Sequence, residues 1–140
     1  MTKTTTPKPI NTDRKWILLD ASSDSLGRIS TRAARHLIGK DLKDFSYHMD
    51  NGGFVVVINA QNIQVTGNKL RDKKYYRHSG YTGSLKETTL QDELTKDPRQ
   101  VIKKSVKGML PKNRLAQERL NRLKVFVLSL IHISEPTRPY

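Results

Sequence analysis

Apolar residues in this chain come in short blocks separated by long polar stretches. The first block, Trp16–Asp20 (WILLD), predicts a strand. Leu26, Ile29, Ala33 and Leu37 then recur at helical spacing, which predicts a helix with one buried stripe. Asp24 or Ser25 can cap its start, and Gly39 is a natural stop. A polar loop, Asp41–Gly53, ends in the turn signal Asn51-Gly52-Gly53. Phe54–Ile58 (FVVVI) shows no polar alternation, which suits a strand covered on both faces, as in a parallel sheet. Strand, helix and strand together make a βαβ unit, whose crossover is almost always right-handed.

The second half is more polar. Lys74–His78 predicts a strand and Gly80–Gly83 a loop. Thr88–Leu94 predicts a short helix, with Thr88 and Gln91 in capping-box positions. Asp97-Pro98 starts another helix, with Ile102, Val106 and Met109 inward and Arg99, Lys103 and Lys107 outward. Gly108–Pro111 breaks it. Lys112–Leu123 predicts a further helix with Ala116, Leu120 and Leu123 inward, and Lys124–Leu128 a last strand. No internal repeat or low-complexity tract interrupts this order. The expected organisation is a flexible basic arm at 1–14, a single α/β domain at 15–128, and an atypical tail at 129–140.

Charge changes the picture most. The 140 residues fit one domain, and their net charge of +13 favours a polyanionic partner. The charge is uneven. Residues 1–65 carry nine bases and six acids, residues 66–140 seventeen bases and seven acids. The binding surface is therefore expected mainly in the second half.

Its centre is Val65–Lys86, with six bases (Lys69, Arg71, Lys73, Lys74, Arg77, Lys86) against one acid, Asp72. Tyr75, Tyr76, Tyr81 and His78 lie among them, and Gly80 and Gly83 close the segment. Cations neutralise phosphates, aromatic rings stack on unpaired bases, and glycines let a backbone approach a polyanion. Strand alternation puts Tyr75 and Tyr76 on opposite faces, so one of them can belong to the core. A second basic stretch, Arg99–Lys124, holds nine bases and one acid. A third candidate is Arg28, Arg32 and Arg35, on one helical face away from the apolar stripe. For each stretch an ordinary solvated face is the alternative reading.

Other chemistries find little support. With no cysteine, disulfides, thiolate nucleophiles and cysteine-based zinc sites are excluded. The four histidines show no metal-ligand spacing. Neither G-x-G-x-x-G nor a Walker lysine follows the first strand, so no nucleotide cofactor is expected. His48 and Asp50 form an isolated acid/base pair without a partner constellation. Gly80-Tyr81-Thr82-Gly83 matches the G-x-x-G of KH domains, but after a strand rather than a helix. No apolar run approaches the roughly 18 residues of a membrane span, and Met1–Ile10 lacks a signal core. The expectation is a soluble, unsecreted protein.

Several strings, in order, resemble the bacterial-type large ribosomal subunit protein L-thirteen family. They are Trp16…Asp20-Ala21…Leu26-Gly27-Arg28, Asn59-Ala60, Val65-Thr66-Gly67-Asn68-Lys69, Tyr75-Tyr76-Arg77-His78-Ser79-Gly80, Val106-Lys107-Gly108-Met109-Leu110-Pro111 and Leu123-Lys124-Val125-Phe126. The resemblance runs from about Lys15 to Phe126. It implies a three-layer α/β/α domain with a mostly parallel four-stranded sheet. It also implies a structural protein that binds large-subunit ribosomal RNA early in assembly, beside other large-subunit proteins, in the cytoplasm. No catalytic site, cofactor, metal, membrane or small-molecule substrate is implied. Carried over by position, Lys69, Tyr76, Arg77, His78, Gly80 and Lys107–Lys112 fall in the stretches that meet RNA. Ala116 departs from a usual glycine. Ser129–Tyr140 (SLIHISEPTRPY) departs altogether and is read as a foreign or frame-shifted end.

Together these readings nominate Arg28, Arg32, Arg35, Lys69, Arg71, Lys73, Lys74, Tyr76, Arg77, His78, Gly80, Tyr81, Lys103, Lys107, Lys112, Arg114, Arg119 and Arg122 as RNA contacts. The rivals are a nuclease or RNA-modifying enzyme using His48, Asp50 or His78, and a stand-alone KH-like binder.

Overall fold

The computed structural model describes residues 14–129. Residues 1–13 and 130–140, hence nearly all of the expected arm and tail, lie outside the described residues. The apolar run Trp16–Asp20 forms strand β1, and Leu26–Ile38 forms helix α1. The FVVVI run, Phe54–Ile58, forms β2, which pairs in parallel with β1 from Trp16↔Phe54 to Asp20↔Ile58. A single 3-10 turn, Ala60–Asn62, follows. The last strand is short, β5 at Leu123–Val125, and pairs in parallel with β2.

The sheet therefore has three parallel strands in the order β1-β2-β5, not the expected four. The other extended segments pair only with each other, as the antiparallel hairpin β3 (Lys74–Arg77) and β4 (Lys86–Thr89). Between the sheet and this hairpin lies one helical turn, α2 (Lys69–Asp72). Then come α3 (Leu90–Lys96), α4 (Pro98–Met109) and α5 (Leu115–Asn121).

One face of the sheet carries the core. Val55 and Val57 of β2, with Leu123 and Val125 of β5, are buried against Leu26, Ile29, Ala33 and Leu37 of α1 and Val101, Ile102 and Val106 of α4. The expectation that Phe54–Ile58 is covered on both faces holds only in part: Val55 and Val57 are buried, while Phe54, Val56 and Ile58 are half-buried. Its burial alternates along the strand, and on the opposite face Trp16 and Leu18 keep 64% and 53% of their surface exposed. Trp16 stacks on Phe54 there, centroids 4.3 Å apart.

The helix ends explain the shifts from expectation. α1 starts at Ser25 without a side-chain cap, while Asp24 instead meets Arg32 at 2.7 Å. The capping box of α3 is Thr89 with Asp92, one residue beyond the predicted pair, because Lys86–Thr89 pairs as a strand first. Asp97 caps α4 through the Arg99 backbone N–H, with Pro98 in the first turn. Met109, expected inward, is 42% exposed.

At the far end of α1 the chain packs backbone to backbone. Gly39 ends the helix in the left-handed conformation, φ +86°. A Cβ on Gly52 would lie 1.8 Å from the Leu37 carbonyl oxygen, so only glycine fits that turn. This contact positions the 49–53 segment for an ionic cluster.

Candidate nucleic-acid interface

The segment nominated first projects from the sheet as α2, β3 and the loop to β4. Lys69, Arg71, Lys73, Lys74, Tyr76, Arg77, His78, Gly80 and Tyr81 are all exposed. Strand alternation separates the tyrosines: Tyr75 packs on the core, and Tyr76 is 63% exposed. Burial, with Glu93 nearby, raises the Tyr75 phenol above its ordinary value. The ammonium groups of Lys104 and Lys73 lie 4.8 and 5.5 Å from the Tyr75 ring centre, so the buried ring holds cations at the surface. The Gly80 backbone N–H donates to His78 Nδ1 at 2.9 Å with Gly80 at φ +91°, which fixes the tip of the segment. Lys74 donates to Glu87 across the hairpin at 3.1 Å, which raises its pKa.

The arginine face of α1 is partly neutralised. Arg32 pairs with Asp24, and Arg35 with Asp41 at 2.6 Å. Among the described residues Arg28 has no ion pair.

The second basic stretch divides in two. Lys107, Lys112 and Arg114 are exposed and Lys103 is half-buried. Arg119 and Arg122, nominated with them, are not surface cations: they are 1% and 8% exposed. Helix α5 turns Arg119 inward instead of Ala116, and both guanidiniums close on Asp50. Arg122 grips it through both carboxylate oxygens, one at 2.6 Å, and Arg119 donates at 3.4 Å. Arg122 also donates to the Leu37 carbonyl at 3.1 Å, at the negative end of α1. Arg14, assigned to the flexible arm, is anchored too, donating to Gly52 O at 2.8 Å and Asp50 O at 3.1 Å. Burial alone would raise the Asp50 carboxyl, but the Arg122 hydrogen bonds and the charges of Arg122, Arg14 and Arg119 hold it below its usual range. The suspected pair with His48 does not form: His48 Nδ1 lies 2.6 Å from Ser46 Oγ.

Two of the remaining cations, Lys69 and Lys73, line one cleft of about 630 Å³. The start of α1 (Leu26, Gly27), the Gln64–Asn68 loop, Lys69, Asp72, Lys73, Leu90, and Ser105 and Met109 of α4 line it. Of these, sequence reasoning nominated Lys69 and Lys73 by charge, and Met109 only within the Lys107–Lys112 stretch. Thr66, Asn68, Ser105 and Met109 carry no charge, and only the fold brings them together. Among the described residues no group of three or more His, Asp or Glu could hold a metal, and no helix is long and apolar enough to cross a membrane.

Fold and surface thus define a small basic α/β domain whose chemistry lies in projecting cations and aromatic rings. The chain belongs to the ribosomal protein L13 family, whose model matches residues 14–129. It is 52% identical over 124 residues to large ribosomal subunit protein uL13 of Nitratidesulfovibrio vulgaris, covering 89% of this chain and 86% of that relative. The uL13 proteins of Lawsonia intracellularis and Kocuria rhizophila are 51% and 43% identical, the latter over 99% of this chain and 95% of its own length. The family is structural and non-enzymatic, and its place is the large subunit of the ribosome.

Proposed function

We propose that this chain binds large-subunit ribosomal RNA directly and supports an early step of subunit assembly. The observation that carries this reading is the exposure of Lys69, Arg71, Lys73, Arg77 and Lys107 on a domain whose buried arginines pair with Asp50. The exposed set neutralises phosphates of a folded RNA and releases counterions. Tyr76 and Tyr81, 63% and 79% exposed, stack on unpaired bases or pack on sugars. Lys112, Arg114 and Arg28 extend the surface, and Arg119 and Arg122 are withdrawn from it. Recognition is of RNA shape, in the cytoplasmic ribosome, beside neighbouring large-subunit proteins. The three-layer α/β/α arrangement expected from the resemblance belongs to this reading.

The test is affinity for large-subunit ribosomal RNA against unrelated structured RNA of equal length, across a salt series. It is run for the wild type and for a Lys73/Lys74/Arg77 triple alanine variant. The expected result is preference for ribosomal RNA, with the variant losing affinity and a salt slope of about one per phosphate contact removed. Equal binding of both RNAs, unchanged in the variant, defeats the reading.

A further inference from the structure

We propose that the cleft between the start of α1, the Gln64–Asn68 loop and the end of α4 receives a single unpaired nucleotide of the bound RNA. This rests on the RNA-binding reading above and deepens it. The cleft's about 630 Å³ falls within the roughly 300–1,000 Å³ of small-molecule sites. Its walls are mainly apolar. Leu26 and Leu90 are buried, Val65 is half-buried, and Met109 is left 42% exposed. The Met109 side chain, whose sulfur accepts from Thr31 Oγ1 at 3.5 Å, offers an apolar, polarisable surface to a base beside the buried leucines. Lys69 and Lys73 line the same cleft with exposed ammonium groups that meet the phosphate. Asp72, the acid in the lining, accepts from a ribose hydroxyl or an exocyclic amine.

Gly27 points the same way. It stands exposed in the first turn of α1. No crowding inside the protein requires it, since a Cβ there would find nothing within 4 Å. Glycine in such a place lets another molecule approach the backbone closely. The small residues Gly27, Thr66, Gly67 and Ser105 thus leave room that the protein itself does not fill.

The experiment compares the full chain with Gly27→Leu, which extends a side chain into this open space, and with Gly27→Ala. Both are better helix formers than glycine, so both melt at or above the wild-type temperature. Large-subunit ribosomal RNA is titrated across salt and probed with base-modifying reagents. The wild type is expected to protect at least one unpaired base that Gly27→Leu re-exposes, with affinity falling roughly 10- to 100-fold, as for one stacked base. The salt slope falls by no more than about two, the phosphate contacts of Lys69 and Lys73. Wild-type affinity and protection in a folded Gly27→Leu variant overturn the cleft proposal and leave the ribosomal reading standing. A loss accompanied by a slope that falls by clearly more than about two overturns it too, since the variant would then have displaced phosphate contacts outside the cleft. A wild type indifferent to ribosomal RNA defeats the underlying reading before any variant is compared.

Discussion

Replacing Asp50 with asparagine removes the one carboxylate at the centre of a three-arginine cluster. Arg119 is 1% exposed and Arg122 9% by side chain, so neither can move its charge into water without breaking local packing. Leaving buried charge uncompensated costs about 3–5 kcal/mol. Asp50 itself keeps 11% of its side chain exposed, and the Leu37, Gly53 and Met49 carbonyls still accept from the guanidiniums. The lower end, about 3 kcal/mol, is therefore expected. At about 4 °C per kcal/mol for a domain of this length, melting falls roughly 12 °C. Urea unfolding followed by circular dichroism measures the loss, with Asp41→Ala as the control. That surface carboxylate, paired with Arg35 and His36, contributes only about 0–1 kcal/mol per pair. The pH dependence supplies a second signature. Asp50 titrates lower in the folded chain than in the unfolded one. Its stabilisation is thus fully present above the unfolded value, about 3.9, and is lost as pH falls through the folded one. The gap between wild type and variant should close in acid. A loss under about 1 kcal/mol at neutral pH, or a gap that persists unchanged in acid, would refute the structural role given to these arginines.

Three further outcomes follow from the packing. Gly52→Ala forces a Cβ onto the Leu37 carbonyl oxygen, 1.8 Å away, and should lower the melting temperature sharply, whereas Gly67→Ala, with open space around it, should show only the smaller strain of its φ of +66°. Thr89→Ala removes the capping box of α3 and should cost about 1 kcal/mol in urea unfolding. Leu37→Ala, at a fully buried position, should cost about 2–5 kcal/mol in the same assay.

The first half of the fold was readable because period and punctuation agreed. WILLD, the stripe from Leu26 to Leu37, Gly39 and FVVVI fall where the elements lie. The second half was less legible. Lys86–Thr89 has no apolar alternation and becomes a strand only because β3 lies opposite it. Arg119 and Arg122 were misread for a physical reason: charge counting along a sequence treats every arginine as surface. The sign that two are interior is an acid some 70 residues away, Asp50, which only tertiary structure brings near. The cleft was invisible for the same reason, since its walls come from four separated segments. The exposed cations of Lys69–Arg77 were legible because little in that segment is apolar enough to turn inward.

The most direct test of the central claim is lysine-by-lysine chemical modification of the free protein and of its complex with large-subunit ribosomal RNA. Lys69, Lys73, Lys107 and Lys112 are exposed around the cleft and the end of α4, while Lys40 and Lys43 follow the opposite end of α1. The account predicts strong protection of the first four and little change at the other two. Uniform protection, or protection confined to Lys40 and Lys43, would contradict it.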